Sequence, residues 1–510
     1  MIVSLLAVDI GSSSCKAIAF SDSGCALARK SYSYPPPQCL QPSWAEMPAE
    51  CFWQALMAVC QAISAEVKKD PVEALAISSH GETFVPVDSR QQALAPAMLN
   101  YDNRAVAEAQ WLTESLGARQ LFDITGLAVH PMYPLGKILW LRAHQTQVYS
   151  SAARFLALPD YLLTRLGFPP LIDYSLASRF LAFDSRERAW SEKILAACEL
   201  SPGQLPQPVP AGSVVGELSA SAAKALGLND GTVVVVGGHD QPCGALGCGV
   251  VASGRVSASL GTYECLTAAS ESPVLNDTAF ASRLNSYCHV VPNRYVTLAY
   301  FPSGIMLEWF VRLICSPDKQ AGPVLENDLY AQLETQAPEA PTGLCVTPHL
   351  LGTCNPDFNP EAAGVIAGIR PSTSREDVYK GILEGIACEF ASMTELLQTA
   401  VGPFDHIYVA GGGTCSGLGL RLRAALSDCT LHVVKQQEAV CLGTAILAGV
   451  ALKKFSFSEA LKQLVTVSRR VPPNSEVGES YRGQREQYRL MYPALAPMRR
   501  AQIAAHQGGT

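Results

Sequence analysis

The sequence predicts an α/β protein with more than one lobe. Short aliphatic or β-branched runs alternate with longer amphipathic ones, a pattern typical of sheets covered by helices. The chain has 510 residues, too many for a single hydrophobic core, and 48% of them are apolar, enough to fill two or three cores. Each half also contains an apolar hairpin built around glycine and hydroxyl residues, which indicates an internal repeat.

The individual elements follow from the same patterns. Residues 1–10 are apolar, but no basic residues precede the apolar run and the acidic Asp9 interrupts it. They therefore predict a first β-strand and not a secretory signal peptide. The other predictions are buried strands at 72–78 and 232–236, helices at 137–144 and 151–166, and a proline-rich connection at 202–210 that is neither helix nor central strand.

A long helix is predicted over 375–397, and a capping box is expected from Thr373 and Glu376. Its apolar residues recur every four positions, at Val378, Ile382, Ile386 and Phe390. Residues 407–410 then predict a strand that ends in the glycine turn 411–413. A further helix is expected to begin near Gly417.

The two hairpins indicate where the chain divides. LLAVDIGSSSCKAIAF at 5–20 and RVSASLGTYECLTA at 255–268 share the order strand, glycine-hydroxyl turn, strand. We therefore expect an N-terminal domain at 1–250, a C-terminal domain at 251–455 and a C-terminal extension at 456–510. The polar tail after about Tyr481 is expected to join neither core.

Composition narrows the classes of partner. Lys and Arg number 38 against 45 Asp and Glu, so the net charge of -7 shows no basic bias for nucleic acid or an anionic membrane. No apolar run is long enough to span a bilayer. The 17 cysteines lie among apolar neighbours without Cys-x-x-Cys spacing, as expected for free thiols in the cytoplasm and not for zinc ligands. A small-molecule partner is favoured.

The first hairpin turn has the residues that bind phosphate. Backbone N–H groups approach phosphate closely where glycine leaves out the Cβ atom, and hydroxyls add donors. Gly11, Ser12 and Ser13 offer both, Lys16 adds a cation, and Asp9 could hold Mg²⁺ directly or through water. An ordinary hairpin with a polar turn has the same residues, and the sequence leaves that alternative open.

Two further glycine sites lie in the second half. Gly261 and Thr262 form the turn of the second hairpin, and two such turns facing each other could clamp a polyphosphate. The site at 411–413, followed by Ser416, could lie against a nucleotide at a helix N-terminus. The alternative is a helix entry that only needs flexible φ. A Walker loop is excluded, because the Gly136-Lys137 pair is followed by Ile138.

Asp240 is the candidate general base. A buried aliphatic strand delivers it to a glycine-rich end, and ligands bind over such strand ends. In phosphoryl transfer an Asp there orients the acceptor hydroxyl and takes its proton. The alternative is a helix N-cap. A hydrolase dyad with His239 is not expected, because sequence neighbours on an extended chain point opposite ways.

A second polar segment, 78–83, also follows an aliphatic strand. His80 and Glu82 there could contact sugar hydroxyls, although a His or Glu at a strand end is often only solvated.

These residues resemble those of the FGGY carbohydrate kinases, the group that includes xylulokinase, glycerol kinase and gluconate kinase. The similarity runs from about residue 3 to about residue 455. The motifs that carry it are DIGSSSCKA (9–17), PSWAEM (42–47), KILWLR (137–142), DYLLTRL (160–166), IDYSLAS (172–178), GGHDQPCGALGCGV (237–250), SLGTYE (259–264), AGGGTCS (410–416) and EAVCLGTAILAG (438–449).

The resemblance implies an actin-like, ribonuclease-H-like fold of two domains, with ATP and the sugar in the cleft between them. By position it makes Asp240 the catalytic base, Gln241 a substrate contact and Asp9 the carboxylate linked to Mg²⁺. It assigns the nucleotide to Gly11, Ser12, Ser13, Lys16, Gly261, Thr262, Gly304, Gly412, Gly413 and Ser416, and the acceptor to His80, Gly81, Glu82, Asn100 and Tyr101.

Departures from the family leave the acceptor open. Xylulokinases have Met-His-Gly where this chain has Gly81-Glu82-Thr83, and Trp where it has Asn100. Glu82 is similar to a residue of the glycerol kinase acceptor site, but the Arg that precedes it there is Gly81 here. GTCNP at 352–356 replaces Gly-Glu-Arg-Thr-Pro and removes a charged pair.

We expect an ATP-dependent kinase whose acceptor is D-xylulose, because the motifs lie nearest to the xylulokinase branch. Another ketose, a polyol or gluconate is the alternative within the family, and a homodimer is compatible with it. An actin- or chaperone-like ATPase and a catalytically silent sugar sensor are the alternatives from other classes. The second polar segment at 78–83 together with Asp240 and Gln241 argues against the ATPase, and the carboxylates Asp9 and Asp240 argue against the silent sensor.

Overall fold

The computed structural model describes residues 4–41, 43–314 and 323–498. Residues 1–3 of the predicted first strand, Pro42 of the PSWAEM segment and residues 499–510 of the predicted extension lie outside the described residues.

The first half of the chain is built on a six-stranded sheet. The strands of this half of the chain are β1 (Ser4–Ile10), β2 (Ser14–Ser21), β3 (Ala26–Ser33), β4 (Glu46–Met47), β5 (Val72–Ser79), β6 (Phe84–Val87), β7 (Ala97–Met98), β8 (Arg154–Ala157), β9 (Leu171–Asp173), β10 (Phe183–Asp184), β11 (Ala189–Trp190), β12 (Gln207–Val209), β13 (Val214–Glu217) and β14 (Val233–His239). Its helices are α1 (Ala49–Glu66), α2 (Val106–Leu116), α3 (Ala118–Thr125), α4 (Pro134–His144), α5 (Thr146–Ser151), α6 (Leu158–Arg165), α7 (Tyr174–Ser178), α8 (Glu192–Ala197), α9 (Ala220–Leu226) and α10 (Asp240–Gly247). The sheet order is β13-β14-β5-β1-β2-β3, and β4-β7-β6-β8 form a smaller sheet.

The second half is built on a seven-stranded sheet, ordered β17-β18-β16-β15-β21-β22-β23. The strands of this half of the chain are β15 (Val256–Leu260), β16 (Tyr263–Ser270), β17 (Asn285–Cys288), β18 (Tyr295–Pro302), β19 (Cys345–Thr347), β20 (Val365–Ala367), β21 (His406–Ala410), β22 (Thr430–Val434) and β23 (Val467–Val471). Its helices are α11 (Asp277–Ala281), α12 (Gly304–Ile314), α13 (Pro323–Gln336), α14 (Arg375–Val401), α15 (Gly417–Ser427), α16 (Ala439–Ala451), α17 (Phe457–Leu464), α18 (Ser475–Ser480) and α19 (Arg482–Ala494).

The two large sheets repeat one plan. β1 is antiparallel to β2 and parallel to β5, and β15 is antiparallel to β16 and parallel to β21 in the same way. The parallel central strands are covered on both faces, which is why they read as continuous aliphatic runs. The predicted two-lobed α/β architecture and both glycine hairpins are therefore confirmed.

The predicted long helix forms as α14, but its cap lies one residue later than expected. Ser374 accepts from the Asp377 amide at 3.1 Å, and the Asp377 carboxylate accepts from the Ser374 amide at 2.8 Å. Thr373 does not cap, because its hydroxyl oxygen already accepts from the Arg370 amide at 2.9 Å. The strand, glycine turn and helix that follow are confirmed as β21, a 3-10 turn at Gly412–Cys415 and α15.

The predicted helix at 151–166 is wrong in its first part. Ser151 ends the preceding helix α5, residues 154–157 form β8, which pairs with β6, and a new helix covers Leu158–Arg165. Pairing with a distant strand outweighs local propensity there. The proline-rich connection at 202–210 contains a single 3-10 turn and β12, which pairs only with β9 in a two-stranded sheet.

The expectation that the tail joins neither core is also wrong. Helix α19, within that tail, packs against the core of the second lobe, and β23, which lies before the tail in the predicted extension, forms an edge of the second sheet. Tyr481 and Tyr488 are buried there, and the Tyr481 hydroxyl donates to Glu384 at 2.7 Å. Two tyrosines seven positions apart put one apolar stripe on an otherwise polar segment.

Helices α10 and α16 join the two halves. Glycine is required at their crossing, because a Cβ atom on Gly443 would lie 1.9 Å from the Cys243 carbonyl oxygen and one on Gly247 would lie 1.9 Å from that of Ala439. The same helix α16 contributes Cys441 and other apolar residues to a core shared with β1. The boundary near residue 250 therefore stays a prediction.

Two features bear on the cellular environment. In the part of the chain that the structure describes, no helix combines the length and apolar character needed to cross a bilayer. The cysteines of that part are free thiols, most of them buried.

Candidate active site

Asp240 stands where the buried strand β14 ends and α10 begins. It is the first residue of the helix and not its N-cap, since His239 occupies the cap position, so the capping alternative is wrong. Burial, and next the nearby charges of Asp9 and Glu82, raise the pKa of the Asp240 carboxyl to about 8. Its buried Oδ1 atom has no hydrogen-bond partner.

His239 and Asp240 converge, contrary to the expectation from an extended chain. The His239 Nε2 atom lies 3.2 Å from Asp240 Oδ1, without the alignment of a hydrogen bond. The backbone turns from strand to helix between these residues, so the alternation of a strand no longer applies. His239 Nδ1 also pairs with the Tyr287 hydroxyl at 2.7 Å, and burial holds the His239 pKa well below its usual value, which keeps the ring neutral.

The first hairpin presents its turn residues close to this strand end. Asp9 lies on β1, and burial is the main cause that raises its pKa to about 7. The Gly11 amide is used within the turn, where it donates to the Ser14 carbonyl at 3.0 Å. Ser12 and Ser13 are exposed at the tip, so their hydroxyls can face a ligand.

The glycine sites of the second half meet at the end of β15. The Gly304 amide donates to the Gly261 carbonyl at 3.1 Å, and a Cβ atom on Gly413 would lie 2.9 Å from the Leu260 side chain. Gly411 has a φ of 101°, which explains a glycine there by conformation alone. A Cβ atom on Gly412 would meet nothing within 4 Å, so packing does not require that glycine.

The neighbouring hydroxyl residues have mixed roles. Thr262 accepts through its carbonyl from the Ser303 amide at 3.0 Å. Ser416 caps α15, accepting from the Gly419 amide at 2.9 Å, so its hydroxyl is partly committed to the helix.

Two lines of contact connect these loops across the halves. Lys16 pairs with Glu438 at 3.1 Å, and next to Glu438 the Gln437 side chain accepts from Thr414, in the glycine turn, at 2.5 Å. On the other side Gln241 approaches Ser259, just before Gly261, at 3.5 Å. The residues predicted for phosphate and for the base thus lie along one connected set of contacts, and their roles remain predictions.

Of the predicted acceptor residues, Glu82 lies near enough to Asp240 for its charge to help raise the pKa of that carboxyl. Both ring nitrogens of His80 are used within the protein, by the Ile10 carbonyl at 2.9 Å and the Thr83 hydroxyl at 2.7 Å. Glu82 is buried with a φ of 64°, in a turn that the Lys137 ammonium supports by donating to the Glu82 carbonyl at 3.2 Å. Glu82 is therefore held rigidly, while His80 positions the turn.

Asn100 and Tyr101 lie in the loop after β7. The Lys137 ammonium also donates to the carbonyl of Leu99, the residue before Asn100, at 2.6 Å. Lys137 therefore connects this loop to the Glu82 turn. Asn100 Oδ1 is buried without a partner, whereas the Tyr101 ring is 45% exposed.

Sequence reasoning missed three residues of this region: Tyr133, Arg179 and Tyr287. Arg179 donates through Nε to Glu82 Oε1 at 2.5 Å. Its guanidinium carbon lies 5.2 Å from the Tyr133 ring centroid and 4.8 Å from the Tyr287 ring centroid. The IDYSLAS motif stops at Ser178, one residue before Arg179, and would have been the signal. Tyr287 comes from the other half of the chain, and no local pattern indicates it.

The carboxylates Asp9 and Asp240 fit a divalent cation. Burial raises the pKa of both, and the Asp9 charge contributes to the raised pKa of Asp240, so positive charge near them would be favourable. Within residues 4–41, 43–314 and 323–498 no group of three or more His, Cys, Asp or Glu side chains forms a metal cage. Mg²⁺ bound together with phosphates needs only one or two carboxylates.

Comparison with known proteins identifies the family. Residues 4–247 match the N-terminal domain of the FGGY family of carbohydrate kinases, and residues 256–452 match its C-terminal domain. The chain belongs to the FGGY family of carbohydrate kinases. It is accordingly a phosphotransferase that acts on a carbohydrate, and the resemblance seen in its motifs is confirmed.

Individual relatives of this FGGY kinase differ in their acceptors. It is 24% identical to the gluconokinase of Bacillus subtilis (strain 168) over 489 residues, covering 94% of this chain and 93% of the relative. It is 28% identical to the xylulose kinase of Escherichia coli (strain K12) over 499 residues, covering 97% and 99%. The crystal structure of ligand-bound xylulose kinase from Lactobacillus acidophilus superposes with a TM-score of 0.86 at 21% identity, covering 97% and 99%. That agreement confirms the actin-like fold.

Proposed function

We propose that this kinase transfers the γ-phosphoryl group of ATP to a hydroxyl of D-xylulose, with Asp240 as the general base. The observation that carries the proposal is the half-buried Asp240 side chain, whose buried Oδ1 atom has no hydrogen-bond partner and lies at a strand end near Asp9 and Glu82. A buried polar atom without a partner costs stability and is rare unless a ligand uses it.

The roles of the residues follow from their chemistry. Asp240 Oδ1 accepts the proton of the attacking hydroxyl as the phosphoryl group moves to its oxygen. Neutral His239, held by Tyr287, lies beside the carboxylate and adds no charge to it. Asp9 would hold Mg²⁺, which supplies positive charge to the phosphates.

The two hairpin turns would bind the polyphosphate. Ser12 and Ser13 are exposed at the tip of one turn, and Gly261 with Thr262 forms the other. Open space beside Gly412 suits a nucleotide that passes close to the backbone. We further propose that the enzyme works in the cytoplasm, where its free thiols stay reduced.

D-xylulose is proposed because the motifs lie nearest to the xylulokinase branch and a xylulose kinase is among the relatives. The gluconokinase relative makes gluconate the competing acceptor. A panel of pentuloses, hexuloses, polyols and sugar acids, assayed for acceptor-dependent ADP release, decides between them. ATP hydrolysis that ignores every acceptor would instead indicate an ATPase.

Asp240→Asn tests the base. We expect turnover to fall by about 10²- to 10⁴-fold, the usual contribution of a general base, while ATP binding persists. Asp230→Asn is the matched control, since that residue lies in the loop before β14 and its change should leave turnover unaltered. Near-normal turnover of Asp240→Asn, with the sugar phosphate verified by mass spectrometry, would contradict the assignment.

A further inference from the structure

Arg179 is a buried cation whose Nε atom is paired and whose Nη1 atom is not. Its side chain is 5% exposed, and Nε donates to Glu82 Oε1 at 2.5 Å. The Tyr133 and Tyr287 rings both pack against the guanidinium and restrict its movement. Such packing aims the remaining N–H groups in a defined direction.

The Nη1 atom of Arg179 is buried and has no hydrogen-bond partner. Buried guanidinium donors are nearly always paired, and leaving one unpaired costs free energy that packing does not return. The neighbouring Asp240 Oδ1 is unpaired as well, so the same region contains a buried donor and a buried acceptor without partners. A hydroxyl-bearing ligand can pair with both.

Gly81 makes room for this arrangement. A Cβ atom on Gly81 would lie 2.9 Å from Arg179 Cγ and 3.2 Å from His239 Nε2. The missing side chain at position 81 therefore lets a cation from α7's C-terminal end reach Glu82, although the two residues are 97 positions apart.

We propose that Arg179 is a specificity-determining residue that donates from Nη1 to a hydroxyl or carbonyl oxygen of an uncharged ketose or polyol, while its Nε holds Glu82 to accept from a neighbouring hydroxyl. This inference rests on the proposed kinase function and names the class of its acceptor.

The ion pair between Arg179 and Glu82 disfavours a sugar acid. The positive charge of Arg179 is balanced by Glu82. A carboxylate placed against Nη1 would therefore gain little attraction from Arg179 and would be repelled by Glu82. Uncharged hydroxyls lose nothing in that environment.

Arg179→Lys is the decisive variant, because lysine keeps the charge beside Glu82 and loses the second arm of the fork. We expect the KM for the ketose or polyol to rise about 10- to 100-fold, as for a lost hydrogen bond to a charged group, with the KM for ATP unchanged within about twofold. Arg165→Lys is the matched control, since Arg165 also pairs with a carboxylate, Glu50, and lies over a ring, Trp53, away from the site. It should leave both KM values unaltered.

Deoxy analogues of the best acceptor make the test specific. Removing the hydroxyl that meets Nη1 should weaken binding to the wild type about tenfold or more and weaken binding to Arg179→Lys little, because the variant has already lost that contact. Calorimetric titration of acceptors in the absence of ATP measures this without turnover. It also reports on Arg179 if the phosphoryl transfer proposal fails.

The outcomes are distinguishable. Weakened ketose or polyol binding in Arg179→Lys, with deoxy discrimination lost, supports the inference. Unchanged binding and unchanged discrimination overturn it, and so does a sugar acid that binds the wild type more tightly than every ketose and polyol of the panel. Acceptor binding without any acceptor-dependent ADP release refutes the proposed function while leaving the Arg179 result to stand by itself.

Discussion

Replacing Glu264 by Gln would break a buried ion pair beneath the glycine sites of the second lobe. Arg423 donates from Nε to Glu264 Oε2 at 3.0 Å and contacts Oε1 through Nη2, and the Ser303 hydroxyl donates to Oε1 at 2.6 Å. The Glu264 and Arg423 side chains are 2% and 3% exposed. Their elements carry the Gly261 turn and the Gly412 turn.

The magnitude follows from burial. Removing the Glu264 charge leaves the Arg423 guanidinium uncompensated in the core, which costs about 3–5 kcal/mol of unfolding free energy. Replacing both residues, as Glu264→Gln with Arg423→Met, removes the unpaired charge, so most of that loss should return. We also expect Glu264→Gln to raise the KM for ATP more than the KM for the acceptor, since the pair supports the nucleotide side.

Urea unfolding followed by circular dichroism measures the loss. Glu308→Gln is the matched control, because Glu308 pairs with Arg312 at the surface of α12, where both side chains are largely exposed. That change should cost less than about 1 kcal/mol. A loss below about 1 kcal/mol for Glu264→Gln, or a double variant less stable than the single one, would refute the reasoning.

Two further predictions concern the acceptor side and the joint between the lobes. Burial lowers the Lys137 pKa from 10.5 to about 7. Between pH 7 and pH 10.5 the unfolded state therefore binds more protons at Lys137 than the folded state does. The free energy of unfolding should rise with pH across that window, by at most about 1.4 kcal/mol per pH unit. Urea titrations at several pH values should show this slope in the wild type and lose it in Lys137→Met; equal slopes would refute the assignment. Gly443→Val would drive a side chain into the Cys243 carbonyl, so we expect α10 and α16 to separate and turnover to fall together with thermal stability. Normal turnover, together with an unchanged melting temperature in scanning calorimetry, would show that the helix crossing tolerates a side chain at position 443.

Much of the fold was predictable because its signals are local. Aliphatic strands such as 72–78 and the glycine hairpins have period and composition that indicate them without any partner. The prediction failed where a distant partner decides, as at 154–157, which pair with β6 instead of joining the helix. It also failed at the tail, where tyrosines spaced along a polar helix find a core that the sequence does not announce.

The candidate site divides in the same way. Asp9, Asp240 and the glycine turns were predicted as candidates, because a charge or a glycine at the end of an aliphatic strand stands out in any sequence. Arg179 was not, because an arginine after a short helix looks like any solvated residue until Glu82 is placed against it.

The sequence by itself determined the chemistry that this protein can offer: two glycine-hydroxyl turns, carboxylates at strand ends and family motifs along most of its length. Only the tertiary structure decided which of those groups face one another, which are buried and which have no hydrogen-bond partner. The physical reason is that the pKa of Asp240 depends on burial and on the charges of Asp9 and Glu82, and the packing of Arg179 depends on Tyr133 and Tyr287. These contacts join residues distant in sequence, and no local pattern encodes them.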